Sequence, residues 1–266
     1  MGRAAGLAYR EAGDSSDRVA LLVHGHPESS YMWDRVLSSL AEAGWRAIAP
    51  DLPGYGDSEP DPPGTWERHT EALARFVAEL ELPPVALVTH DWGVPIGLRW
   101  ACDSPGVASA LVISDGGFFA DRRWHDLANV MRTPGKGEEL VKGYTREGFF
   151  GVMHGASSWM TDEALAEYSK RFADDVRRFG HLELYRSGDF EKLVPYDGCV
   201  AALGVPALIL WGEQDRFASV RMAHRFREEL PGSELELFAD AGHFVWDDQP
   251  ARAAGALVDF LERRAS

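Results

Sequence analysis

Residues 85–93, Val-Ala-Leu-Val-Thr-His-Asp-Trp-Gly, decide the fold of this chain. An apolar run typical of a buried strand ends in a polar residue, Asp91, a small residue follows at Gly93, and a helical pattern begins at about Pro95. This is the pattern of a nucleophile elbow, a sharp strand-to-helix turn that holds one side chain above a sheet. Thr89 departs mildly from it, because a smaller residue is usual two positions before the nucleophile. An Asp in this place is also a common helix cap, so the motif needs support from the rest of the chain.

Short apolar runs bounded by turn residues alternate with amphipathic stretches along most of the sequence. The runs lie at Val19–Val23, Ala47–Ala49, Val85–Val88, Ala110–Ile113, Ala207–Trp211 and Leu235–Phe238. Residues 30–43, 66–81 and 249–263 each place apolar side chains on one face of a helix. This alternation is typical of βαβ units, and it predicts an α/β fold with a mostly parallel central sheet flanked by helices.

The alternation stops between about Gly117 and Cys199, where no strand-like run occurs and aromatic residues are frequent. We interpret this stretch as a helical insertion. The predicted organisation is therefore one α/β core, residues 1–116 and 201–266, with a helical lid, or cap, formed by residues 117–200.

The charge balance limits the partners. The chain has 27 Lys and Arg against 42 Asp and Glu, a net charge of −15 over 266 residues, and no basic cluster. Nucleic acids and anionic membranes both require clustered positive charge, so we expect neither as a partner. A small, neutral organic substrate is expected instead.

No feature of the sequence indicates a cofactor, a metal or a secretion signal. Cys102 and Cys199 lack the spacing of a zinc site, and one disulfide between them is compatible with the sequence but not required. The histidines show no metal-binding spacing, so we predict no metal and no cofactor. Residues 1–13 contain no apolar signal segment, which predicts a cytoplasmic protein. The sequence leaves the oligomeric state open between a monomer and a homodimer.

Three further strand ends carry polar residues that complement Asp91. The loop after the first run contains His26, and in proteins with a nucleophile elbow such a loop supplies one backbone N–H of an oxyanion hole. The residue after the nucleophile supplies the other, which predicts His26 and Trp92 as donors. Asp215 follows the next-to-last run and His243 follows the last one. The order nucleophile, acid, histidine predicts a catalytic triad of Asp91, Asp215 and His243.

On these motifs the chain resembles the α/β-hydrolase superfamily, and within it the aspartate-nucleophile branch of epoxide hydrolases, haloalkane dehalogenases and fluoroacetate dehalogenases. His24–Ser29 and Asp51–Ser58 are similar to segments of epoxide hydrolases. Ser29–Trp33 and Pro95–Ala101 are similar to segments of haloalkane dehalogenases, and His90–Gly93 is common to both. The resemblance runs from about residue 20 to the C-terminus and is weakest in the lid.

The resemblance implies a hydrolase that forms a covalent ester on Asp91. A carboxylate is already ionised at neutral pH and displaces a leaving group from an sp³ carbon. His243 then activates the water that hydrolyses the ester, and Asp215 orients the imidazole. Asp115, at the end of the run Ala110–Ile113, occupies an alternative acid position used by some dehalogenases of this branch, but we favour Asp215.

The leaving group separates two activities. Opening an epoxide requires an acidic O–H, and the resemblance implies two lid tyrosines for it. Tyr185 matches the tyrosine-arginine step of epoxide hydrolases, and Tyr144 lies nearest to the expected second place. We therefore predict an epoxide hydrolase that converts an epoxide to a vicinal diol.

A haloalkane dehalogenase is the alternative prediction. Expelling a halide requires N–H donors, which in that family are the tryptophan after the nucleophile, here Trp92, and either an asparagine after His-Gly or a lid tryptophan. This chain has His26 in the asparagine position, where its imidazole is able to stabilise either leaving group, and two candidate lid tryptophans, Trp124 and Trp159. A non-catalytic ligand-binding protein of this fold is a third hypothesis.

Overall fold

The centre of the protein is an eight-stranded sheet, seen in a computed structural model that describes residues 1–157 and 159–264. The strands are β1 (Gly2–Ala4), β2 (Leu7–Ala12), β3 (Val19–Val23), β4 (Arg46–Pro50), β5 (Val85–His90), β6 (Ala108–Ser114), β7 (Ala207–Gly212) and β8 (Glu234–Phe238). They are arranged in the order β1-β2-β4-β3-β5-β6-β7-β8. Strands β3 to β8 pair in parallel, and β1 and β2 pair antiparallel at one edge. All six predicted runs lie in strands, and the predicted α/β fold class is confirmed.

The antiparallel edge formed by β1 and β2 was not indicated by any apolar run. In β2 only Leu7 and Ala8 are buried, whereas Arg10 is half-buried and Glu11 is exposed. Such a strand is not enclosed on both faces, so its sequence is not continuously apolar.

The parallel strands, in contrast, are buried on both faces. In β3, Val19, Leu21 and Val23 contribute to one side of the core, and Ala20 and Leu22 contribute to the other. Burial on both faces explains why these strands appear as unbroken apolar runs and not as alternating ones.

Helices cover the two faces of the sheet. Those of the core are α1 (Asp34–Glu42), α2 (Trp66–Glu79), α3 (Gly93–Asp103), α10 (Arg221–Glu229), α11 (Val245–Asp248) and α12 (Pro250–Arg264). The chain between β6 and β7 forms α4 (Asp126–Arg132), α5 (Lys136–Lys142), α6 (Arg146–Ala156), α7 (Asp162–Ser169), α8 (Asp175–Ser187) and α9 (Cys199–Ala202). Within the described ranges, no helix is both long enough and apolar enough to cross a membrane.

The segment between β6 and β7 contains only helices and turns among its described residues. A disulfide joins Cys102 at the end of α3 to Cys199 at the start of α9, with 6.0 Å between the Cα atoms. The sequence left this pairing open. The predicted core and lid ranges also include Ser158, Ala265 and Ser266, which lie outside the described residues.

The parallel strands place the polar loop residues together. Neighbouring strands β3, β5, β6, β7 and β8 run in the same direction, so their carboxyl ends lie at one edge of the sheet. The loops that follow these strands carry, in chain order, His26, Asp91, Asp115, Asp215 and His243.

Candidate active site

Asp91 occupies the sharp turn between β5 and α3 with a φ of 47°. A positive φ is unfavourable for a residue with a Cβ atom, so the surrounding packing must hold this conformation. Two glycines make the space: a Cβ on Gly25 would overlap the Asp91 side chain, and a Cβ on Gly93 would overlap the carbonyl of Val23. The turn therefore has the geometry of a nucleophile elbow.

The larger residue at position 89 is accommodated by helix α3. Thr89 is fully buried, and its hydroxyl donates a hydrogen bond of 3.0 Å to the carbonyl of Val112. Its methyl group faces Gly97, where an added Cβ would lie only 2.8 Å from Thr89 Cγ2. The missing side chain at position 97 thus provides the volume that Thr89 occupies.

His243 lies between two carboxylates. Its Nδ1 is 2.8 Å from Asp215 Oδ2, and its Nε2 is 3.4 Å from Asp91 Oδ2. The other oxygen of Asp215 accepts hydrogen bonds from the backbone N–H groups of Phe217 and Ala218, at 2.7 and 2.9 Å. These bonds fix the carboxylate, and the carboxylate orients the imidazole.

Asp91 and His243 stabilise each other's charged forms, and Asp215 adds to the stabilisation of the charged His243. Burial alone would raise the pKa of Asp91, but the hydrogen bond and positive charge of His243 outweigh it and hold this pKa well below its ordinary value. Burial alone would lower the pKa of His243, but Asp215 and then Asp91 raise it well above its ordinary value. In the free protein, His243 is therefore an imidazolium that links two carboxylates.

Asp115, the alternative candidate for the acid of the triad, also has a positive φ, 45°. Its side chain contacts Gly212 and His90. Its Oδ1 accepts a hydrogen bond of 3.0 Å from the N–H of Gly212, and its Oδ2 lies 3.8 Å from Nδ1 of His90. Burial, followed by the charge of nearby Asp215, raises the pKa of Asp115 well above its ordinary value. The acid that bonds Nδ1 of His243 is therefore Asp215 and not Asp115.

His26 contributes a backbone donor and a neutral imidazole. Its N–H donates a hydrogen bond of 2.7 Å to Asp91 Oδ1, whereas no such bond from the Trp92 N–H occurs among the described residues. The ring stacks on His181, with 3.8 Å between centroids, and its Nδ1 lies 3.3 Å from the hydroxyl of Tyr55. Burial, followed by the charge of His181, lowers the pKa of His26 well below its ordinary value, so the ring is neutral.

One cavity, which we call the tyrosine cavity, is lined by Asp91, His243, His26, Tyr144 and Tyr185 together with apolar side chains. Tyr185 is buried in α8, and burial followed by the charge of Asp91 raises its pKa well above the ordinary value. Burial also raises the pKa of Tyr144, whose ring packs against Phe172. Both phenols therefore keep their protons beside the carboxylate.

A second cavity, which we call the indole cavity, also reaches Asp91 and Tyr185. Its walls include Trp92 and Trp124, whose rings stack with centroids 5.6 Å apart, and the guanidinium of Arg122. Trp159, the other candidate among the tryptophans, is 63% exposed and lines neither cavity.

The structure brings most of the predicted residues together and adds others. Around the two cavities lie Asp91, Asp215, His243, His26, Trp92, Tyr144 and Tyr185. The sequence analysis did not assign Arg122 or His125 to the site, although Arg122 lines the indole cavity and His125 lines both cavities. Arg122 could have been predicted from its position in the loop that follows β6, because the loops after the parallel strands meet at the site.

The remaining histidines near the strand ends support loops. Leu52 N–H donates to His24 Nε2 at 2.9 Å, so the proton of His24 is on Nδ1, which bonds the carbonyl of Gly25 at 2.7 Å. His90 Nε2 lies 3.0 Å from Glu28 in full burial. In the part of the chain that the structure describes, no three His, Cys, Asp or Glu side chains converge as a metal site.

The fold and this arrangement agree with a family model described as alpha/beta hydrolase fold, which matches residues 19–250. The chain belongs to the α/β-hydrolase superfamily, and its relatives place it in the branch of dehalogenase- and epoxide-hydrolase-like proteins. The predicted family is thereby confirmed, and the chain is a member of a hydrolase family.

Individual relatives cover nearly the whole chain. A haloalkane dehalogenase of Mesorhizobium japonicum is 36% identical over 96% of this chain and 87% of its own length. A cis-3-alkyl-4-alkyloxetan-2-one decarboxylase of Xanthomonas campestris is 26% identical over 97% of this chain and 92% of its own length. The crystal structure of haloalkane dehalogenase DbeA from Bradyrhizobium elkani has a TM-score of 0.83 at 26% identity, covering 98% of this chain and 96% of that one.

Proposed function

We propose that this protein is an epoxide hydrolase that acts through a covalent ester on Asp91. The observation that carries the proposal is that two protonated phenols, Tyr185 and Tyr144, line one cavity with the carboxylate and His243. A nucleophile for carbon and proton donors for oxygen are the two groups that opening an epoxide requires.

In the first step, one oxygen of Asp91 attacks an epoxide carbon. The O–C ester bond forms, the epoxide C–O bond breaks, and the resulting alkoxide takes a proton from Tyr185 or Tyr144. The attacking oxygen is Oδ2, because its contact with His243 Nε2 is long, 3.4 Å, whereas Oδ1 accepts a short hydrogen bond of 2.7 Å from the N–H of His26. The developing charge is thus neutralised by an O–H that burial has kept protonated.

The ester then changes the proton balance of the site. Esterification removes the negative charge of Asp91, which is one of the two charges that raise the pKa of His243. His243 gives its proton to the tyrosinate and becomes a neutral base, oriented by Asp215.

In the second step, His243 takes a proton from water, and the hydroxide attacks Cγ of the Asp91 ester. The negative charge on the carbonyl oxygen is stabilised by the N–H of His26, and the N–H of Trp92 is the second donor that we propose. Collapse of the intermediate breaks the Cγ–O bond to the substrate, and the acid proton passes to the departing alkoxide. The diol leaves, and Asp91 and the imidazolium are restored.

The helices between β6 and β7 supply both tyrosines, and we propose that residues 117–200 act as a cap over the nucleophile. Tyr144 precedes α6 and Tyr185 lies in α8, whereas Asp91 belongs to the core. Closing a cap over a carboxylate excludes bulk water until the ester has formed.

Haloalkane dehalogenase is the second candidate, and the indole cavity favours it. Trp92 and Trp124 stack beside Asp91, and two indole N–H groups stabilise a diffuse halide anion. The name of the relative from Mesorhizobium japonicum supports the same alternative. A non-catalytic binding protein is disfavoured by the ordered contacts of His243 with Asp215 and Asp91.

A paired assay distinguishes these activities. The purified protein is incubated with styrene oxide and with 1-bromobutane, and the diol and released bromide are measured. Diol formation supports the proposal, bromide without diol replaces it by the dehalogenase, and neither product across a panel of both classes indicates a binding protein.

Two variants and one control test the proposed roles of Asp91 as nucleophile and Tyr185 as proton donor. Asp91→Asn should abolish turnover in freshly prepared protein. Tyr185→Phe should reduce diol formation and spare bromide release, whereas Tyr196→Phe, which alters a tyrosine bonded to Asp103 outside both cavities, should leave both unchanged.

A further inference from the structure

Four side chains line both the tyrosine cavity and the indole cavity, and they mark the junction where the two cavities meet. They are Asp91, His125, Tyr185 and Phe217. In the proposed mechanism Asp91 is the nucleophile and Tyr185 is a proton donor, and Phe217 contributes a hydrocarbon ring. Of the polar groups in this set, only His125 has no role in that mechanism.

Helix α4 fixes the tautomer of His125. The N–H of Ala128, in the first turn of α4, donates a hydrogen bond of 3.2 Å to Nδ1 of His125. A backbone N–H is only a donor, so Nδ1 carries no proton and the ring holds its single proton on Nε2. Burial lowers the pKa of His125 below its ordinary value, which keeps the ring uncharged at pH 7.

The N–H at Nε2 of His125 is free to bind another molecule. The two nitrogens of an imidazole point in diverging directions, so Nε2 is directed away from the helix that holds Nδ1. Across the described residues, Nε2 bonds to no protein atom, and it is not enclosed by the protein. The donor is therefore available to a ligand.

The ring of His125, and not only its backbone, faces the reacting groups. It packs edge-to-face on Phe217 with 5.1 Å between centroids, and the Phe217 ring packs in turn on His243 at a centroid distance of 5.1 Å. Among charged groups, Asp91 has the largest effect on the pKa of His125 and raises it, as expected for a carboxylate near the ring. One aromatic ring thus separates His125 from the catalytic histidine.

Capping a helix does not require an imidazole. The helices α6, α7 and α8 begin with Thr145, Thr161 and Asp174, whose side chains accept the backbone N–H in the usual way. In α4 the same task falls to His125, a residue that is not among the preferred N-caps. Unlike those shorter side chains, the imidazole carries an N–H on the side opposite the helix.

We propose that His125 is a further catalytic residue, whose Nε2–H donates a hydrogen bond to the leaving oxygen while Tyr185 supplies the proton. This inference rests on the proposed covalent chemistry of Asp91. As the bond between Asp91 Oδ2 and the epoxide carbon forms, the C–O bond breaks and the proton of Tyr185 moves to the oxygen. His125 keeps its proton throughout, and the same N–H stabilises a bromide if a halide departs instead.

A neutral donor is well suited to this place. The epoxide oxygen is uncharged at first, so its hydrogen bond with the imidazole is weak when the substrate binds. Negative charge grows on the oxygen as the C–O bond breaks, and the hydrogen bond then becomes charge-assisted. An interaction that strengthens in the transition state accelerates the step and does not merely tighten binding.

The test removes the donor and keeps a helix cap. His125→Ser places a preferred N-cap residue before α4 and removes the imidazole N–H. His154→Ser is the matched control, because His154 is an exposed histidine of the same helical segment that bonds Asp162 and lines neither cavity. Both are also combined with His243→Gln, in which water is not activated and the ester accumulates.

Mass spectrometry of quenched protein then measures the first step alone, with styrene oxide and with 1-bromobutane. His125→Ser should slow ester formation by roughly 10- to 100-fold, the range of a lost hydrogen bond to a charged group, and His154→Ser should not. With His243 intact, hydrolysis of the ester should change less than about threefold. Ester formation within twofold of the control, or equal slowing of both steps, would overturn the role of His125 and leave the covalent mechanism intact.

Nitrogen-15 spectra of histidine-labelled protein test the donor without turnover, with the His125 signals assigned from their loss in His125→Ser. A charged ring or a proton on Nδ1 at pH 7 would refute the proposal. The ligand 1-phenyl-1,2-ethanediol should shift the Nε2 signal, and ethylbenzene, which has no oxygen, should not. That difference in a protein that turns over neither substrate supports the donor site, and only the proposed activity then fails; equal responses to both ligands would refute the site.

Discussion

Asp91→Asn should lower the pKa of His243 in the folded protein. Nε2 of His243 and Oδ2 of Asp91 are 3.4 Å apart; His243 is buried and Asp91 is half-buried. With an effective dielectric constant of about 20, two unit charges at this separation interact by about 5 kcal/mol. Removing the carboxylate charge removes this attraction, so the pKa of His243 should fall, and it should fall less where water in the cavity screens the pair.

The imidazole can be titrated directly. Nitrogen-15 chemical shifts of labelled histidine, recorded against pH for native protein and Asp91→Asn, give the pKa of His243. Asp189→Asn is the control, because Asp189 faces the indole cavity but pairs with Arg132. A decrease well above half a unit in Asp91→Asn alone is expected.

A change of less than half a unit would refute the reasoning. It would mean that Asp215 alone holds the proton on His243, and that ester formation on Asp91 does not release a base. The proposed order of steps, in which the first half-reaction prepares the histidine for the second, would then be wrong.

Three further predictions concern the elbow, the pH dependence of stability and the disulfide. Gly25→Ala should reduce turnover by at least about 10-fold, because the added methyl group overlaps the side chain of the nucleophile. Gly255→Ala is the control, since a methyl group there meets open space and should leave turnover unchanged. Wild-type turnover in Gly25→Ala would contradict the prediction. Because the folded-state pKa of His243 is raised, the stability it contributes is fully present below its unfolded pKa of about 6.5 and is lost as pH rises through the folded value. Urea unfolding should therefore show the advantage of native protein over His243→Gln shrinking with increasing pH, and a constant difference would oppose it. Cys102→Ser should lower the free energy of unfolding by about 2–4 kcal/mol in oxidised protein, and the loss should vanish when both proteins are measured under reducing conditions.

The fold was largely accessible from the sequence because its central strands are buried on both faces. Strands such as β5 and β7 appear as continuous apolar runs, and turn residues bound them. The antiparallel strand β2, next to the edge strand β1, was not predicted because only two of its six residues are buried. Hydrophobic patterning reports burial, and this strand is only partly buried.

The candidate site was accessible only in part for a similar reason. Asp91, Asp215 and His243 follow strand ends, and the direction of the strands brings such positions together. Arg122 and Trp124 belong to the helical segment and its approach, where no periodicity fixes which side chains point inward. Their positions depend on the packing of α4 and α8 against each other, which the sequence pattern does not encode.

Because Thr89 contacts Gly97, the structural unit that forms the elbow extends beyond the sequence motif around Asp91 and includes part of α3. A Cβ at position 97 would come within 2.8 Å of the threonine methyl group, so position 97 cannot gain a side chain while threonine occupies position 89. Transplanting a relative's strand-turn-helix sequence into this chain, or the reverse, should succeed only when both positions are exchanged together. Gly97→Ala should be damaging by itself and tolerated in combination with a smaller residue at position 89, so the unit that can be exchanged by recombination spans β5 and the first turns of α3.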